Sequence, residues 1–194
     1  NSRDFKKILQ KKFNIKVNCI YNPLNRNEIL KLSRVKTKKI FSKKKIIKII
    51  NVGRYVEQKD QMTLLKAINV LKNQLNVEVK IIGRGIEKEN LRNFINKNKL
   101  NKIVKLVDFK ENPFPYIKEA DVFILTSKFE GLPNVLLEAL TLNKFVISSN
   151  CSTGPKEILD NGKGGLLFQV GNFKELARKI LFFKNNKSLC KKKL

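Results

Sequence analysis

The sequence predicts an α/β fold, with a Rossmann-like parallel sheet covered by helices on both faces. Short apolar runs rich in β-branched residues, each the length of one strand, alternate with segments whose apolar residues recur at helical spacing. The strand-like runs are residues 46–52, 77–82, 103–107, 122–125 and 145–147. Strands that alternate with helices form a parallel sheet with helices on both faces. The 194 residues, 42% of them hydrophobic, are enough for one core of ordinary domain size.

The loop after the first strand is predicted to lie at the ligand-binding edge of the sheet. Gly53 ends the apolar run, and Asp60 can cap the helix that follows. Open α/β sheets bind ligands at the carboxyl ends of their strands. Arg54 can grip phosphate oxygens through two parallel hydrogen bonds, and Lys59 can add a mobile charge. Because the chain has 42 basic residues, two solvated cations remain the alternative.

The segment from Glu130 to Glu138 has the pattern of an anion site between two carboxylates. Pro133 at the first helical position would lose no hydrogen bond, because that N–H has no intrahelical partner. The N–H groups of residues 134–136 would then be free at the positive end of the helix dipole. Carboxylates accept hydrogen bonds from sugar hydroxyls, so the pattern favours a diphosphate that links two sugars. An ordinary surface helix with both carboxylates solvated stays open.

Taken in order, these motifs resemble the carboxyl-terminal, donor-binding half of a family 4 retaining glycosyltransferase with the GT-B fold. The resemblance extends over residues 46–181. Its features are Gly53-Arg54 with Lys59, Gly83-Arg84-Gly85, Ala120-Asp121-Val122, Ser127, the block from Glu130 to Glu138, Gly154 to Leu159, and Gly164 to Leu167. The sequence departs from the family at Asp108, where glycine is common, and at Thr126, where proline is common.

The resemblance implies a role for each matching residue. Arg54 and Lys59 would neutralise the donor diphosphate, Glu138 would accept hydrogen bonds from the ribose, and Glu130 would contact the transferred sugar. The base would lie at the loop after residues 103–107. The implied catalytic residues are Arg54, Lys59 and Glu130; the implied donor-binding residues are Gly53, Arg54, Lys59, Gly83, Phe109, Glu130, Gly131, Leu132, Pro133, Asn134, Val135, Leu136 and Glu138.

The implied activity is transfer of a sugar, with retention, from a nucleotide-sugar to a saccharide or lipid-linked glycan. UDP is the nucleotide that the family most often uses. The resemblance implies no metal and no cofactor, so Arg54, Lys59 and a helix N-terminus would stabilise the charge that develops on the leaving phosphate. A nucleotide-sugar epimerase of similar fold and a non-enzymatic basic binding domain stay open as alternatives.

The formal net charge of +26 would ordinarily suggest a nucleic-acid partner. The charge comes from 35 lysines and only 7 arginines, whereas base readout prefers arginine. We therefore expect no nucleic-acid partner. Lys184, Lys187 and residues 191–193 are candidates for contact with an anionic membrane surface, and a solvated tail is the alternative. The expected location is the cytoplasm, with an optional peripheral contact at the inner face of the membrane.

Other chemistries have little support in the sequence. There is no histidine, and Cys19, Cys151 and Cys190 lack the paired spacing of a zinc site. The glycine pair at Gly83 and Gly85 lacks the third glycine of a dinucleotide fingerprint, since Lys88 occupies that place.

The start of the chain predicts a fragment of a longer protein. The sequence opens without methionine, and an Asn-Pro turn at residues 21–24 follows a strand-like run at residues 15–20. In the resembled family such a turn marks the passage between the two domains. We expect residues 1–22 to end an acceptor-binding domain, residues 23–187 to form the donor-binding domain, and residues 188–194 to be a basic tail. Such a fragment should bind donor but transfer little.

Overall fold

A parallel sheet organises the computed structural model, which describes residues 2–42 and 46–191. The strands of this described part are β1 (Ile47–Val52), β2 (Val77–Gly83), β3 (Val104–Asp108), β4 (Val122–Leu125), β5 (Phe145–Ser149) and β6 (Leu166–Phe168). The helices are α1 (Arg3–Phe13), α2 (Arg26–Leu32), α3 (Gln61–Leu71), α4 (Lys88–Lys97), α5 (Phe114–Glu119), α6 (Asn134–Thr141), α7 (Pro155–Ile158), α8 (Phe173–Asn185) and α9 (Lys187–Lys191).

The strand order is β3-β2-β1-β4-β5-β6, and every neighbouring pair is parallel. The chain winds from β1 outward to β3 and then returns to place β4 on the other side of β1. The connections from β1 and β4 therefore leave the sheet in opposite directions, and a crevice opens between them at the carboxyl edge. The structure confirms the predicted α/β class with a Rossmann-like sheet.

Two hydrophobic clusters cover the two faces of this sheet. On β1, Ile49 packs into one cluster and its neighbour Ile50 into the other, and both are fully buried. Helices α3, α4 and α8 supply the first cluster, and α2, α5 and α6 the second. Burial on both faces explains why the strands appear in the sequence as continuous apolar runs rather than alternating ones.

Side-chain caps set the starts of several helices. The Asp60 carboxylate accepts hydrogen bonds from the backbone N–H of Thr63 at 3.3 Å and from its hydroxyl at 2.6 Å, so Asp60 caps α3 as the sequence predicts. Asn25 and Asn172 cap α2 and α8 in the same way. The cap at Asp60 ends the loop after β1 and thereby fixes the length of that loop.

The strand expected at residues 15–20 is absent from the structure. Residues 14–25 contain neither helix nor strand, and the side chains of Ile15 and Ile20 are 53% and 79% exposed. The backbone groups of a strand need a neighbouring strand as hydrogen-bond partner, and no strand of the described sheet lies beside this segment. The β-branched pattern was therefore not sufficient to predict a strand here.

The end of the described chain is partly helical. Cys190 on α9 is buried in the first cluster, and Lys187 Nζ lies 3.7 Å from Asp121 Oδ1. Lys192 and Lys193, which were named for a membrane contact, lie outside the described residues. Within the described part, no helix has both the length and the apolar character needed to cross a bilayer.

The Phe145–Phe183 stack predicts that Phe183 contributes far more to the stability of the fold than its exposed neighbour Phe182 on α8. The two rings stack with centroids 5.3 Å apart, and Phe183 is 3% exposed whereas Phe182 is 41% exposed. Replacing Phe183 by alanine should lower the free energy of unfolding by about 3–5 kcal/mol. Urea unfolding followed by circular dichroism measures this value. Phe182→Ala is the matched control and should cost well under half as much; equal losses would contradict the packing described.

Candidate functional site

A cleft of about 460 Å³ lies at the carboxyl edge of the sheet, next to the point where the winding reverses. It brings together five of the residues that the sequence predicted for a donor site: Gly53, Arg54, Gly83, Phe109 and Glu138. The rest of the lining is Val52, Ile82, Arg84, Lys110, Glu111, Pro113 and Phe114. The cleft thus combines apolar walls with a small number of charged groups, which is the usual make-up of a small-molecule site.

Glu138 is a carboxylate of this cleft that is withdrawn from solvent, whereas Glu111 in the same lining is exposed. Glu138 lies on the first turns of α6, is half-buried, and accepts no hydrogen bond from the described residues. Burial raises the pKa of Glu138 above its ordinary value. Arg54, which lines the same cleft, has no ion-pair partner among the described residues. A carboxylate removed from water without a partner is unfavourable, so both groups remain available to a ligand.

Glu130 has the opposite surroundings. Its Oε1 atom accepts hydrogen bonds from Lys59 Nζ at 2.6 Å and from Ser127 Oγ at 2.6 Å. The side chains of Lys59 and Glu130 are only 17% and 7% exposed. Neither residue lines the cleft that holds Arg54 and Glu138. Lys59, which was expected to bind the donor diphosphate, is therefore paired in this structure with Glu130, which was expected to contact the transferred sugar. Both roles stay predictions.

Helix α6 begins one residue later than the sequence predicted. Pro133 occupies the N-cap position and Asn134 is the first helical residue. The carbonyl of Pro133 accepts the N–H of Leu136 at 3.0 Å, so the prediction that this N–H is free was wrong. The N–H groups of Asn134 and Val135 donate to no acceptor among the described residues. Two free donors, rather than three, therefore remain at the positive end of the helix dipole.

Residues Gly131, Leu132 and Pro133 reach the start of α6 by passing close to Gly154. A Cβ atom at Gly154 would overlap the carbonyl oxygen of Gly131 and stand 2.7 Å from Cδ of Pro133, and its φ of +89° also disfavours a side chain. Leu132 and Pro133 are buried. The loop is thus pressed against the backbone after β5.

The amino-terminal segment is attached to the same region. Asn22 Nδ2 donates to Asn134 Oδ1 at 3.1 Å. One carboxylate oxygen of Glu157 accepts the N–H of Arg3 at 2.9 Å, and the other accepts the hydroxyl of Tyr21, a bond that raises the pKa of Tyr21. The segment before α2 is therefore hydrogen-bonded to the first residue of α6 and to α7.

Arg84 lines the cleft, and Tyr55 is buried beside Gly83 of its lining; neither was among the predicted site residues. The Arg84 guanidinium stands over the Phe109 ring, 4.7 Å from its centroid. The Tyr55 hydroxyl lies 2.6 Å from the carbonyl oxygen of Ile81 and 2.9 Å from that of Val107, and burial raises its pKa. The sequence did contain a signal for Arg84, since it stands between two glycines directly after a strand, where a loop faces the ligand-binding edge. Nothing local in the sequence marks Tyr55, because its partners lie on other strands.

A larger cavity of about 910 Å³ lies at the opposite, amino edge of the sheet, and it contains none of the predicted site residues. Among the described residues, no three His, Cys, Asp or Glu side chains are grouped closely enough to share a metal ion. The predicted site residues therefore gather at the edge where parallel sheets bind ligands.

The fold and this arrangement agree with a family comparison. Residues 33–193 match the family model described as Glycosyl transferases group 1, and the chain belongs to that family. The part matched contains the whole sheet and all the residues described above for the cleft.

Two relatives indicate the range of the family. The chain is 35% identical over 154 residues to the capsular polysaccharide biosynthesis glycosyltransferase CapH of Staphylococcus aureus, covering 71% of this chain and 43% of CapH. It is 33% identical over 124 residues to the N-acetylgalactosamine-N,N'-diacetylbacillosaminyl-diphospho-undecaprenol 4-alpha-N-acetylgalactosaminyltransferase of Campylobacter jejuni, covering 64% of this chain and 33% of that enzyme. The chain thus spans less than half of each relative.

Solved structures agree with the fold. A glycosyltransferase from Rickettsia africae superimposes with a TM-score of 0.85 at 19% identity, covering 98% of this chain and 54% of that one. A mutant of Staphylococcus aureus TarM in complex with fondaparinux, alpha-GlcNAc-glycerol and UDP superimposes with a TM-score of 0.72 at 24% identity, covering 87% of this chain and 36% of TarM. At these identities the likeness supports the fold alone.

The close approach at Gly83 predicts that no side chain is tolerated on the floor of the cleft. A Cβ atom there would overlap the carbonyl oxygen of Gly53 and stand 2.9 Å from Cε1 of Tyr55. Gly83→Ala should lower the free energy of unfolding by at least about 2 kcal/mol. Gly164→Ala is the control, because its Cβ would meet atoms only at ordinary contact distances, from 3.7 Å. Urea titration of both variants tests this; similar small losses would contradict the close approach.

The unpaired Glu138 predicts a stability that depends on pH in a defined direction. Because its pKa is higher in the folded chain, the folded state is penalised for ionising Glu138 at neutral pH, whereas below the ordinary value of 4.5 the carboxyl is protonated in both states. Glu138→Gln should therefore raise the melting temperature at pH 7, and the gain should shrink as the pH falls towards 4.5. Glu111→Gln, at an exposed position of the same cleft, is the control. A gain that grows on acidification would contradict the burial effect.

Proposed function

We propose that this chain is the carboxyl-terminal, nucleotide-sugar-binding half of a family 4 retaining glycosyltransferase. The observation that carries the proposal is the pair of unpartnered charges, Arg54 and Glu138, in one cleft with the Phe109 ring. A cation, an acceptor of hydroxyl hydrogen bonds and an aromatic face are the groups needed for a nucleoside diphosphate.

Each end of the cleft suits a different part of the donor. The Phe109 ring and its Arg84 neighbour offer a stacking surface for the base. Glu138 can accept the ribose hydroxyls, and Arg54 can bind the diphosphate through two parallel hydrogen bonds. The free N–H groups of residues 134 and 135 supply further donors to phosphate.

The transferred sugar would lie on the Glu130 side of the diphosphate. Glu130 is held by Lys59 and Ser127, so its carboxylate orients hydroxyls rather than attacking the sugar. The same ion pair holds the Lys59 charge at the end of the loop that also carries Arg54. Both cations would then counter the negative charge that develops as the sugar–phosphate bond breaks.

The reaction that fits these groups is a same-face displacement. The bond from the anomeric carbon to the diphosphate breaks, the acceptor oxygen bonds to the same face of that carbon, and the departing phosphate takes the acceptor's proton. Arg54, Lys59 and the start of α6 would stabilise the leaving group without a metal ion. The anomeric configuration is retained in this course.

UDP is the proposed nucleotide, and a saccharide or lipid-linked glycan is the proposed acceptor. Binding of UDP by the structural neighbour TarM supports the first choice, and the polysaccharide and undecaprenol-linked activities named for the relatives support the second. Acceptor choice would rest with a further domain of a longer protein, so the chain alone should bind donor and show no transfer. We further propose that the protein is located in the cytoplasm, with Lys184 and Lys187 close to an anionic membrane surface.

Calorimetric titration with UDP, GDP and dTDP in the presence of a chelator tests the donor site. UDP should bind in preference to the other two, and Arg54→Ala or Glu138→Ala should each weaken it by about 10- to 150-fold, which corresponds to about 1.5–3 kcal/mol. Arg92→Ala and Glu89→Ala remove an exposed ion pair on α4 and should leave the affinity unchanged.

The alternatives give different results in the same experiments. A non-enzymatic basic binding domain would lose affinity steeply with salt and ignore both cleft substitutions. An epimerase would convert the donor without an acceptor, which product analysis detects. Sugar transfer by the isolated chain, free of contaminating enzyme, would contradict the proposal that this chain alone binds the donor without transferring the sugar.

A further inference from the structure

Two loops at the crevice are joined by a series of contacts. We name them the β1 loop (residues 54–60) and the β4 loop (residues 126–130). The N–H of Lys128 donates to the carbonyl of Gln58 at 2.8 Å, and Gln58 Nε2 donates to the carbonyl of Phe129 at 2.9 Å. Lys128 Nζ lies 2.7 Å from Glu57 Oε1. The β1 loop carries the diphosphate cations of the proposed function, and the β4 loop carries Glu130.

The outer contacts of this series are exposed to solvent. The side chains of Lys128 and Glu57 are 41% and 84% exposed, so their ion pair contributes little to holding the loops together. Thr126, by contrast, is fully buried, and its hydroxyl donates to the carbonyl oxygen of Lys59 at 2.8 Å. Like the Lys59–Glu130 ion pair, whose side chains are 17% and 7% exposed, this contact between the two loops is shielded from competition with water.

The carbonyl that Thr126 contacts belongs to a residue in a tight turn. Residues 57–59 form a single 3₁₀ turn, and Asp60, which follows, has a φ of +43°. Among the described residues no backbone N–H outside the helices donates to the Lys59 carbonyl, and the donor it has is the Thr126 hydroxyl. Because the peptide unit is planar, a fixed carbonyl restricts the backbone of Lys59, from which the long side chain extends.

We propose that Thr126 is a positioning residue that holds the Lys59 peptide so that Lys59 Nζ meets Glu130 before any donor arrives. A lysine side chain loses much rotamer freedom when it is held in one place. The ion pair at 2.6 Å thus depends on a fixed starting point for that side chain. Thr126 acts through Lys59 on Glu130, and it touches neither the cleft nor the stacking ring.

This inference rests on the proposed function in one respect, the identity of the ligand as a nucleoside diphosphate. Because Thr126 acts on the β1 loop, its loss should affect phosphate contacts and spare base and ribose contacts. Comparing UDP with uridine separates the two, since uridine lacks the phosphates. General damage to the fold would weaken both ligands together.

The test uses Thr126→Val, which keeps the shape and removes the hydroxyl, and Thr126→Ser, which keeps the hydroxyl. Thr126→Val should weaken UDP about three- to ten-fold, as expected for one lost hydrogen bond, and leave uridine unchanged. Thr126→Ser should bind UDP as the native chain does. Thr141→Val makes the same atomic change at the last residue of α6 and should alter neither affinity.

Hydrogen exchange of the ligand-free chain supplies a readout that does not depend on nucleotide. The Lys128 amide, which donates to Gln58, should exchange faster in Thr126→Val and at the native rate in Thr126→Ser. If the native chain binds neither UDP nor uridine, the proposed donor fails, while the exchange rates still decide the role of Thr126.

Two results would overturn the inference. One is a native exchange rate together with native UDP affinity in Thr126→Val. The other is an equal loss of UDP and uridine affinity, or a loss that Thr126→Ser shares, since either would show that the hydroxyl does not position the β1 loop.

Discussion

The ion pair between Lys59 and Glu130 is the contact on which the arrangement of the site depends. It joins the loops that follow β1 and β4, the two strands between which the winding of the sheet reverses. The Glu130 side chain is only 7% exposed, and burial of a carboxylate is unfavourable unless it is paired and hydrogen-bonded. Lys59 and Ser127 supply both conditions. The loops after β1 and β4, on either side of the point where the winding reverses, are therefore held together by an ion pair.

The two carboxylates that frame α6 have contrasting environments. Glu130 is paired on the wall, whereas Glu138 is half-buried in the cleft with no partner among the described residues. The pairing of Glu130 restricts the motion of its loop. Glu138, in contrast, has unused acceptor oxygens that a ligand with hydrogen-bond donors can satisfy. A site that keeps one carboxylate satisfied and the other unsatisfied favours a ligand that brings hydroxyls to a defined place. The membership in the glycosyltransferase family is consistent with that division.

The sequence alone predicted those features that are determined by residues close to one another along the chain. The strand runs, the Asp60 cap and the placing of Arg54 after β1 follow from burial, capping and strand direction. The pairing of Lys59 with Glu130 could not be predicted, because it joins residues 71 positions apart whose sequence patterns are independent. The stack of Arg84 on Phe109 joins two separate loops for the same reason.

Two expectations failed for reasons that concern context. The run at residues 15–20 has strand composition but lacks a neighbouring strand within the described sheet. Pro133 suits the first helical position, yet it stands at the N-cap, where the loop is pressed against Gly154. The lack of a strand partner decided the backbone in the first case, and a close tertiary contact decided it in the second.

The hydrogen bond from Asn22 to Asn134 determines the polarity of the first turn of α6. Asn22 Nδ2 donates to the oxygen of the Asn134 amide, and the other end of that amide is its nitrogen. That nitrogen can only donate, as can the two backbone N–H groups beside it. One hydrogen bond from the segment before α2 thus adds an amide donor to the two backbone N–H groups at the start of this helix. Reversing that single amide would place an acceptor next to two donors and so weaken the attraction of this helix start for an anion.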